Sequence, residues 1–149
     1  MIPSFLKPYH TNLSNLIRIG RKSDGGYIIA GTSYVPGDSD LWLIKTDSQG
    51  NEEWNQTFGG FYWDQGSSVQ QTMDGGYILT GHIEFYLSLI KTNSEGVEEW
   101  NKTVMTWEGS GVYVQQTIDG GYAMIGSWLN GTGSERNNIQ FVRTDVNGN

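Results

Sequence analysis

The sequence predicts an all-β chain built from repeated units of four short antiparallel strands. Three observations carry that expectation. A ten-residue stretch recurs as Lys22-Ser23-Asp24-Gly25-Gly26-Tyr27-Ile28-Ile29-Ala30-Gly31, as Thr72-Met73-Asp74-Gly75-Gly76-Tyr77-Ile78-Leu79-Thr80-Gly81 and as Thr117-Ile118-Asp119-Gly120-Gly121-Tyr122-Ala123-Met124-Ile125-Gly126. A second stretch recurs as Leu41–Thr46, Leu87–Thr92 and Ile139–Thr144, each ending in Lys or Arg and then Thr. Finally, the 149 residues include 21 Gly, 6 Trp and 8 Tyr but only 17 % charged residues, a composition of short strands and turns rather than of surface helices.

The elements follow in order within each unit. Strand A precedes the glycine pair, as Ser68–Thr72, Tyr113–Thr117 and more loosely Ile17–Gly20. Its turn carries Asp-Gly-Gly, because glycine reaches positive φ without steric cost and Asp accepts hydrogen bonds from turn amides. Strand B is the apolar run from the second glycine to the closing one, Gly76–Gly81 in the middle unit. Strand C is Leu87–Thr92 with its two counterparts, and a polar turn with Gly50, Gly96 or Gly148 follows it. Strand D is Glu-Glu-Trp-Asn-x-Thr, seen as Glu52–Thr57 and Glu98–Thr103.

Four strands in roughly 45–50 residues is the signature of a β-propeller blade. Asp24, Asp74 and Asp119 are spaced by 50 and 45 residues, which places the repeats at about 13–58, 66–104 and 111–149. The third unit stops after its C–D turn. Trp100 lies 19 residues before Asp119, and 19 before Asp24 is Phe5, so residues 2–8 are expected to complete the last blade as its strand D. Closed rings use about 4–8 blades. Three blades therefore imply part of a longer ring or a homodimer that closes a six-bladed one.

Bulk chemistry narrows the partners. A net charge of −7 without a Lys/Arg cluster argues against nucleic acid and anionic membranes. With no cysteine, disulfides and thiolate metal sites are excluded. No apolar run approaches the about 20 residues that cross a bilayer, and Met1–Leu6 lacks the basic start of a signal peptide, so a signal, if used, lies outside these residues.

The run Asp-Gly-Gly-Tyr-Ile-Leu/Ile-x-Gly, then Leu-Ile-Lys-Thr-Asp/Asn-x-x-Gly-x-Glu-Glu-Trp, resembles the blade repeat of large archaeal and bacterial surface or secreted proteins, grouped with quinoprotein-like propellers. The likeness spans about Phe5 to Asn149. Asp47–Trp54 resembles the tryptophan-docking motif of those blades, shortened by one residue. It implies that Trp54 and Trp100 pack between neighbouring blades, with Phe5 in the third place. Thr72-x-Asp74-x-Gly76 and Thr117-x-Asp119-x-Gly121 resemble part of the Asp-box of sialidase-type propellers. The resemblance implies an extracellular or cell-surface setting.

Candidate chemistry is sparse. Recurrence in register assigns Trp54, Trp100 and the repeat tyrosines to packing, and Asp24, Asp74 and Asp119 to fixing turns. Glu52-Glu53 and Glu98-Glu99 point to opposite strand faces and read as edge-strand solubility devices. The turns Asp47–Asn51 and Asp145–Asn149 supply too few carboxylates for calcium. His82 and Glu84 would share one strand face, but two ligands make no metal site, and no cofactor is expected. Variation concentrates between strands B and C: the closing glycine precedes the Lys or Arg by 14, 10 and 17 residues, while Lys45–Trp54 and Lys91–Trp100 both span 9. A constant frame with variable loops is how repeat scaffolds carry recognition. The expected ligand-binding residues are Tyr34, Asp38 and Asp40; His82, Glu84, Phe85 and Tyr86; and Trp128, Asn130, Glu135 and Arg136. They suit a glycan or a protein surface. Four sequons, at Asn12, Asn55, Asn101 and Asn130, agree with a secreted or surface protein. The leading expectation is a non-catalytic scaffold or binding module. The alternatives are a lectin-like propeller and a fragment of a catalytic quinoprotein- or sialidase-type propeller.

Overall fold

A computed structural model describes residues 18–21, 25–35, 37–84, 86–105, 109–129 and 137–149. Phe5, Asp24, Phe85, Asn130, Glu135 and Arg136 lie outside these residues, and Trp128 is described in its backbone alone.

The described residues are all-β and form three antiparallel sheets. Sheet one joins β1 (Arg18–Arg21), β2 (Tyr27–Val35), β3 (Asp38–Thr46) and β4 (Glu52–Phe58) in that order. Sheet two joins β5 (Gln65–Gln71), β6 (Tyr77–Ile83), β7 (Tyr86–Thr92) and β8 (Glu98–Met105). Sheet three has β9 (Gly109–Gln116), β10 (Tyr122–Leu129) and β11 (Asn137–Thr144).

The repeated motif explains itself residue by residue. Gly75 turns the chain at φ 86° between β5 and β6. A β-carbon on Gly76 would strike the Thr92 carbonyl and lie 2.7 Å from the Lys91 ammonium. One on the closing Gly81 would lie 2.6 Å from Leu41 of sheet one, so bare backbone there lets the sheets approach. After strand C, Asp47 Oδ1 accepts the amides of Gln49 and Asn51 at 2.8 Å each. Asn93 and Asp145 do the same one and two units later. These side chains are committed to holding turns.

Side chains alternate between the faces of a strand, and the sheets stack accordingly. Ile28, Ala30, Leu41 and Leu43 of sheet one meet Val69, Tyr77, Leu79 and Ile90 of sheet two. The other face of sheet two, with Ile78, Leu87 and Leu89, meets Val114, Tyr122 and Met124 of sheet three. Sheet two is therefore covered on both sides, which is why β7 is buried at every residue after Tyr86. On the outward face of sheet one Ile29 and Ile44 are buried and Tyr27 is half-buried. The outward face of sheet three leaves Ile125, Ile139 and Phe141 exposed.

Each joint between sheets is clamped by one tryptophan. Trp54 on β4 lies edge-on to Tyr77 of sheet two, ring centroids 5.7 Å apart, and Trp100 on β8 meets Tyr122 of sheet three at 5.8 Å. The indoles rest on turn glycines of the same neighbouring sheets. A β-carbon on Gly96 would lie 2.6 Å from Trp54 Cζ3, and one on Gly148 2.9 Å from Trp100 Cζ3.

Truncating a clamp removes a large aromatic from a joint that cannot close over the gap. Trp54→Ala and Trp100→Ala are each expected to cost about 3 kcal/mol in urea denaturation. Trp42→Ala, whose indole N–H reaches only the exposed Asn55, is expected to cost less than about 1 kcal/mol. Equal losses at all three positions would refute the clamp role.

Candidate functional site

The two ends of the stacked sheets differ in chemistry. At one end, the expected B–C loops are replaced by strand. β2 and β3 pair as far as Val35↔Asp38, and β6 and β7 as far as Ile83↔Tyr86, each closed by a two-residue turn. Tyr34, Asp38 and Asp40, expected in a loop, therefore lie on strands, as do His82 and Tyr86. The alternation simply continues past Gly31 and Gly81, and Gly37 at φ 94° makes the reversal. Glu84 sits in its turn at φ 50°, the one non-glycine residue with positive φ among those described, so it does not share a strand face with His82. His82 lies in register between Gln65 and Leu87.

β4 runs antiparallel to β3, with Phe58 opposite Leu41, so the link from sheet one to sheet two crosses this same end. That link, Gly59–Asp64, holds the residues that the sequence reading passed over: Phe61, Tyr62, Trp63 and Asp64. Asp64 is fully buried and ties the end together. Its carboxylate accepts the Gly60 amide at 2.7 Å and the Glu84 amide at 2.8 Å, and its own amide donates to the Ser39 carbonyl at 2.7 Å. The Ser39 hydroxyl donates to the Asp64 carbonyl at 3.1 Å. Sheet one, the link and the β6–β7 turn are thus joined at Asp64, sheet one through its backbone and the turn through its carboxylate.

Further carboxylates gather here. A β-carbon on Gly59 would collide with both Asp40 Oδ1 and Asp64 Oδ2, and one on Gly60 with Glu84 Oε1. The Asp40 pKa is raised, first by burial and then by the neighbouring charges of Asp38 and Asp64. Among the described residues no cation pairs with Asp38, Asp40, Asp64 or Glu84. Aromatic rings border them. Tyr34 and Trp63 lie 5.7 Å apart between centroids, tilted by 52°. Trp63 is 67 % exposed and Phe61 91 %, with Tyr62 and Tyr86 also exposed. Tyr34, Asp38, Glu84 and Tyr86 thus share one end with the linking segment. Among the described residues no group of three or more His, Asp or Glu side chains is placed to hold a metal ion.

At the opposite end three cations are held in ion pairs. Lys91 is buried, and its ammonium reaches Asp74 at 2.9 Å, Glu99 at 2.8 Å and the Thr92 carbonyl at 2.9 Å. Arg143 pairs with Asp119, and Lys45 with Glu53. The Glu pairs expected to serve edge solubility thus contribute one member each, Glu53 and Glu99, to cross-strand ion pairs. Burial pushes the Asp74 carboxyl up, but the Thr72 hydroxyl, the Lys91 ammonium and the Gly76 amide outweigh it and lower the pKa to about 2. Burial likewise opposes charge on Lys91, and its two carboxylate partners reverse this, so its pKa is raised. A cleft of about 330 Å³ beside this network is lined by Met73, Asp74, Lys91, Glu99, Trp100 and Tyr122, residues already engaged at the second joint.

No family model and no curated protein matches the chain. Among solved structures it is similar to a protein of unknown function from Dyadobacter fermentans DSM 18053, with a TM-score of 0.57 and 10 % identity. The match covers 87 % of this chain and 37 % of that one, so the chain spans little more than a third of the protein it resembles. At this identity the likeness is one of fold alone.

Two measurements test the ends. Asp64→Ala leaves the Gly60 and Glu84 amides without their acceptor and is expected to cost about 2–3 kcal/mol; a loss below about 0.5 kcal/mol would refute the tie. For Asp74, a folded pKa of about 2 against an ordinary 3.8 means stability present above pH 4 and lost as pH falls toward 2. Asp74→Asn is therefore expected to lower the melting temperature at pH 6, with the gap to wild type closing between about pH 4 and pH 2. The carboxylate is 60 % exposed, so the effect is screened to about 1 kcal/mol or less. A gap that stays constant with pH would refute the assignment.

Proposed function

We propose that this chain is a run of non-catalytic β-propeller blades from a secreted or cell-surface protein, and that its turn end binds a glycan. The blade reading draws support from the repeated four-strand order and the two matching tryptophan joints, and from the resemblance of the repeat to blades of surface proteins. On this reading the strand around Phe5 supplies the fourth strand missing from sheet three among the described residues. The frame spends its recurring residues on turns and joints, which leaves recognition to residues that do not recur.

The glycan reading rests on one observation: exposed Trp63 and its neighbour Tyr34 stand beside the carboxylates of Asp38, Asp40 and Glu84, with no cation paired to them among the described residues. A sugar offers C–H faces that pack on aromatic rings, and vicinal hydroxyls that donate to carboxylates, which only accept when ionised. Buried Asp64 holds the end rigid, so binding requires little ordering of the site.

Glycan-array screening of the 149-residue chain tests this. Binding is expected to weaken roughly tenfold or more in Trp63→Ala and in Tyr34→Ala, with the urea midpoint unchanged. An array without hits, or full binding by Trp63→Ala, would remove the proposal.

A further inference from the structure

Asp40 and Asp64 come from different parts of the chain and meet at Gly59. Asp40 lies on β3, and Asp64 closes the link from sheet one to sheet two. Asp40 Oδ1 and Asp64 Oδ2 both crowd the point that a β-carbon on Gly59 would occupy, so the two oxygens are neighbours. The φ of Gly59 is not positive, so backbone geometry does not demand glycine there; the two carboxyl groups do. The pair is unequal. Asp64 is fully buried, and its two oxygens accept the Gly60 amide at 2.7 Å and the Glu84 amide at 2.8 Å. Asp40 is half-buried, and among the described residues its carboxyl meets no hydrogen-bond donor and no cation.

The charged groups about Asp40 among the described residues are all acids. Asp38 lies on its own strand, Asp64 comes from the link, and Glu84 comes from the β6–β7 turn with Oε1 over Gly60. His82 shares its strand face with Ile78, which packs on sheet three, and so points away from sheet one. Burial, then the charges of Asp38 and Asp64, raise the Asp40 pKa. The turn carboxyls Asp47, Asp74, Asp119 and Asp145 all move the other way. Two neighbouring carboxylates without a cation are relieved when one of them takes a proton. Since both Asp64 oxygens already accept amides, the group free to carry that proton is Asp40.

We propose that Asp40 and Asp64 form a proton-operated latch between sheet one and the link. In acid, Asp40 takes one proton from solvent and its hydroxyl donates to Asp64 Oδ2. As the pH rises the proton returns to solvent, and the two charges repel across Gly59. The link stays in place in both states, because the Asp64 amide donates to the Ser39 carbonyl and the Ser39 hydroxyl to the Asp64 carbonyl. The proton thus changes how tightly the link is held and not whether the fold forms. The link carries Phe61, Tyr62 and Trp63, so the latch sets the rigidity of the exposed aromatic end. It is independent of the glycan reading, since it operates in the free protein. The folded pKa of Asp40 lies above the 3.8 of the unfolded chain, so the latch is fully closed below that value and is lost as the pH rises through the folded one. Asp74 titrates below this window and with the opposite sign.

Carbon-13 NMR titration of the Asp40 carboxyl in the 149-residue chain is expected to give a midpoint above 3.8. Exchange protection of the Gly60 and Glu84 amides, corrected for the intrinsic rate, is expected to fall as the pH rises through that midpoint, by up to about tenfold for each unit by which the midpoint is raised. Asp40→Asn, whose amide can donate to Asp64 Oδ2 with no proton to lose, is expected to abolish this pH dependence. It is also expected to raise the melting temperature at neutral pH by about 2–4 °C. Asp40→Ala removes the charge without supplying a donor and is expected to gain less. A midpoint at or below 3.8, or protection that does not change with pH, would overturn the latch. So would an Asp40→Asn protein that melts no higher than wild type at neutral pH, or an equal gain in Asp40→Ala, which would leave repulsion without a shared proton. The titration and the exchange are read on wild type, so the outcome stands even where a variant fails to fold.

Discussion

The structure depends on the contact of one tryptophan with the tyrosine and the turn glycine of the next sheet. A four-stranded sheet with two apolar faces is not stable alone; it needs a neighbour on each. Trp54 and Trp100 lie on outer strands but reach forward onto the following sheet, so sheets two and three are each fastened by the sheet before them. The contact is head-to-tail, and the outward face of sheet three, with Ile125, Ile139 and Phe141 exposed, carries no following sheet among the described residues.

The polar side of the joint is built with equal economy. A buried ammonium is costly unless each donor finds an acceptor. Lys91 has three donors and three acceptors, Asp74, Glu99 and the Thr92 carbonyl. Gly76 has no side chain because the ammonium and the Thr92 carbonyl occupy the space a β-carbon would take. The Asp-Gly-Gly-Tyr motif thus combines a counter-ion, a left-handed turn, a gap for a lysine and a seat for an indole in four consecutive residues.

This frame was legible in the sequence because its constraints recur. Asp74, Gly75, Gly76, Tyr77, Lys91 and Trp100 can be aligned with counterparts in another unit, and a residue type required by backbone geometry stands out on such comparison. The strand order was read the same way. The ends of strands are not legible in this way: Gly31 reads as a stop that leaves Tyr34 and Asp38 in a loop, whereas pairing continues past it to Val35 and Asp38. Glu99 reads as an edge-strand solubility residue because its pairing with Lys91 depends on a cross-strand register, Lys91 opposite Trp100, that spacing along the chain does not reveal. Asp64 and the aromatic triplet before it occur once, so there was no second copy against which to judge them. The visible sign was local: three consecutive aromatics in a glycine-flanked link have no strand core to enter.

The two ends of the stack therefore differ in what accounts for their residues. At the joint end Lys45, Lys91 and Arg143 each pair with a carboxylate, and stability explains those pairs. At the turn end stability explains Asp64, which is buried and bonded to two amides, but it does not explain the groups around it. Asp38, Asp40 and Glu84 sit close to that buried carboxylate, and Asp40 is harder to ionise, first through its own burial and then through the charges of Asp38 and Asp64. Trp63 and Phe61 stay in water although a fold of this kind can bury aromatics readily, as it does with Tyr77 and Tyr122. Like charges held together and large rings left exposed both cost the free protein. Both become favourable when a molecule with apolar faces and hydrogen-bond donors arrives, and that asymmetry between the free and the bound state is what supports the proposed recognition at this end.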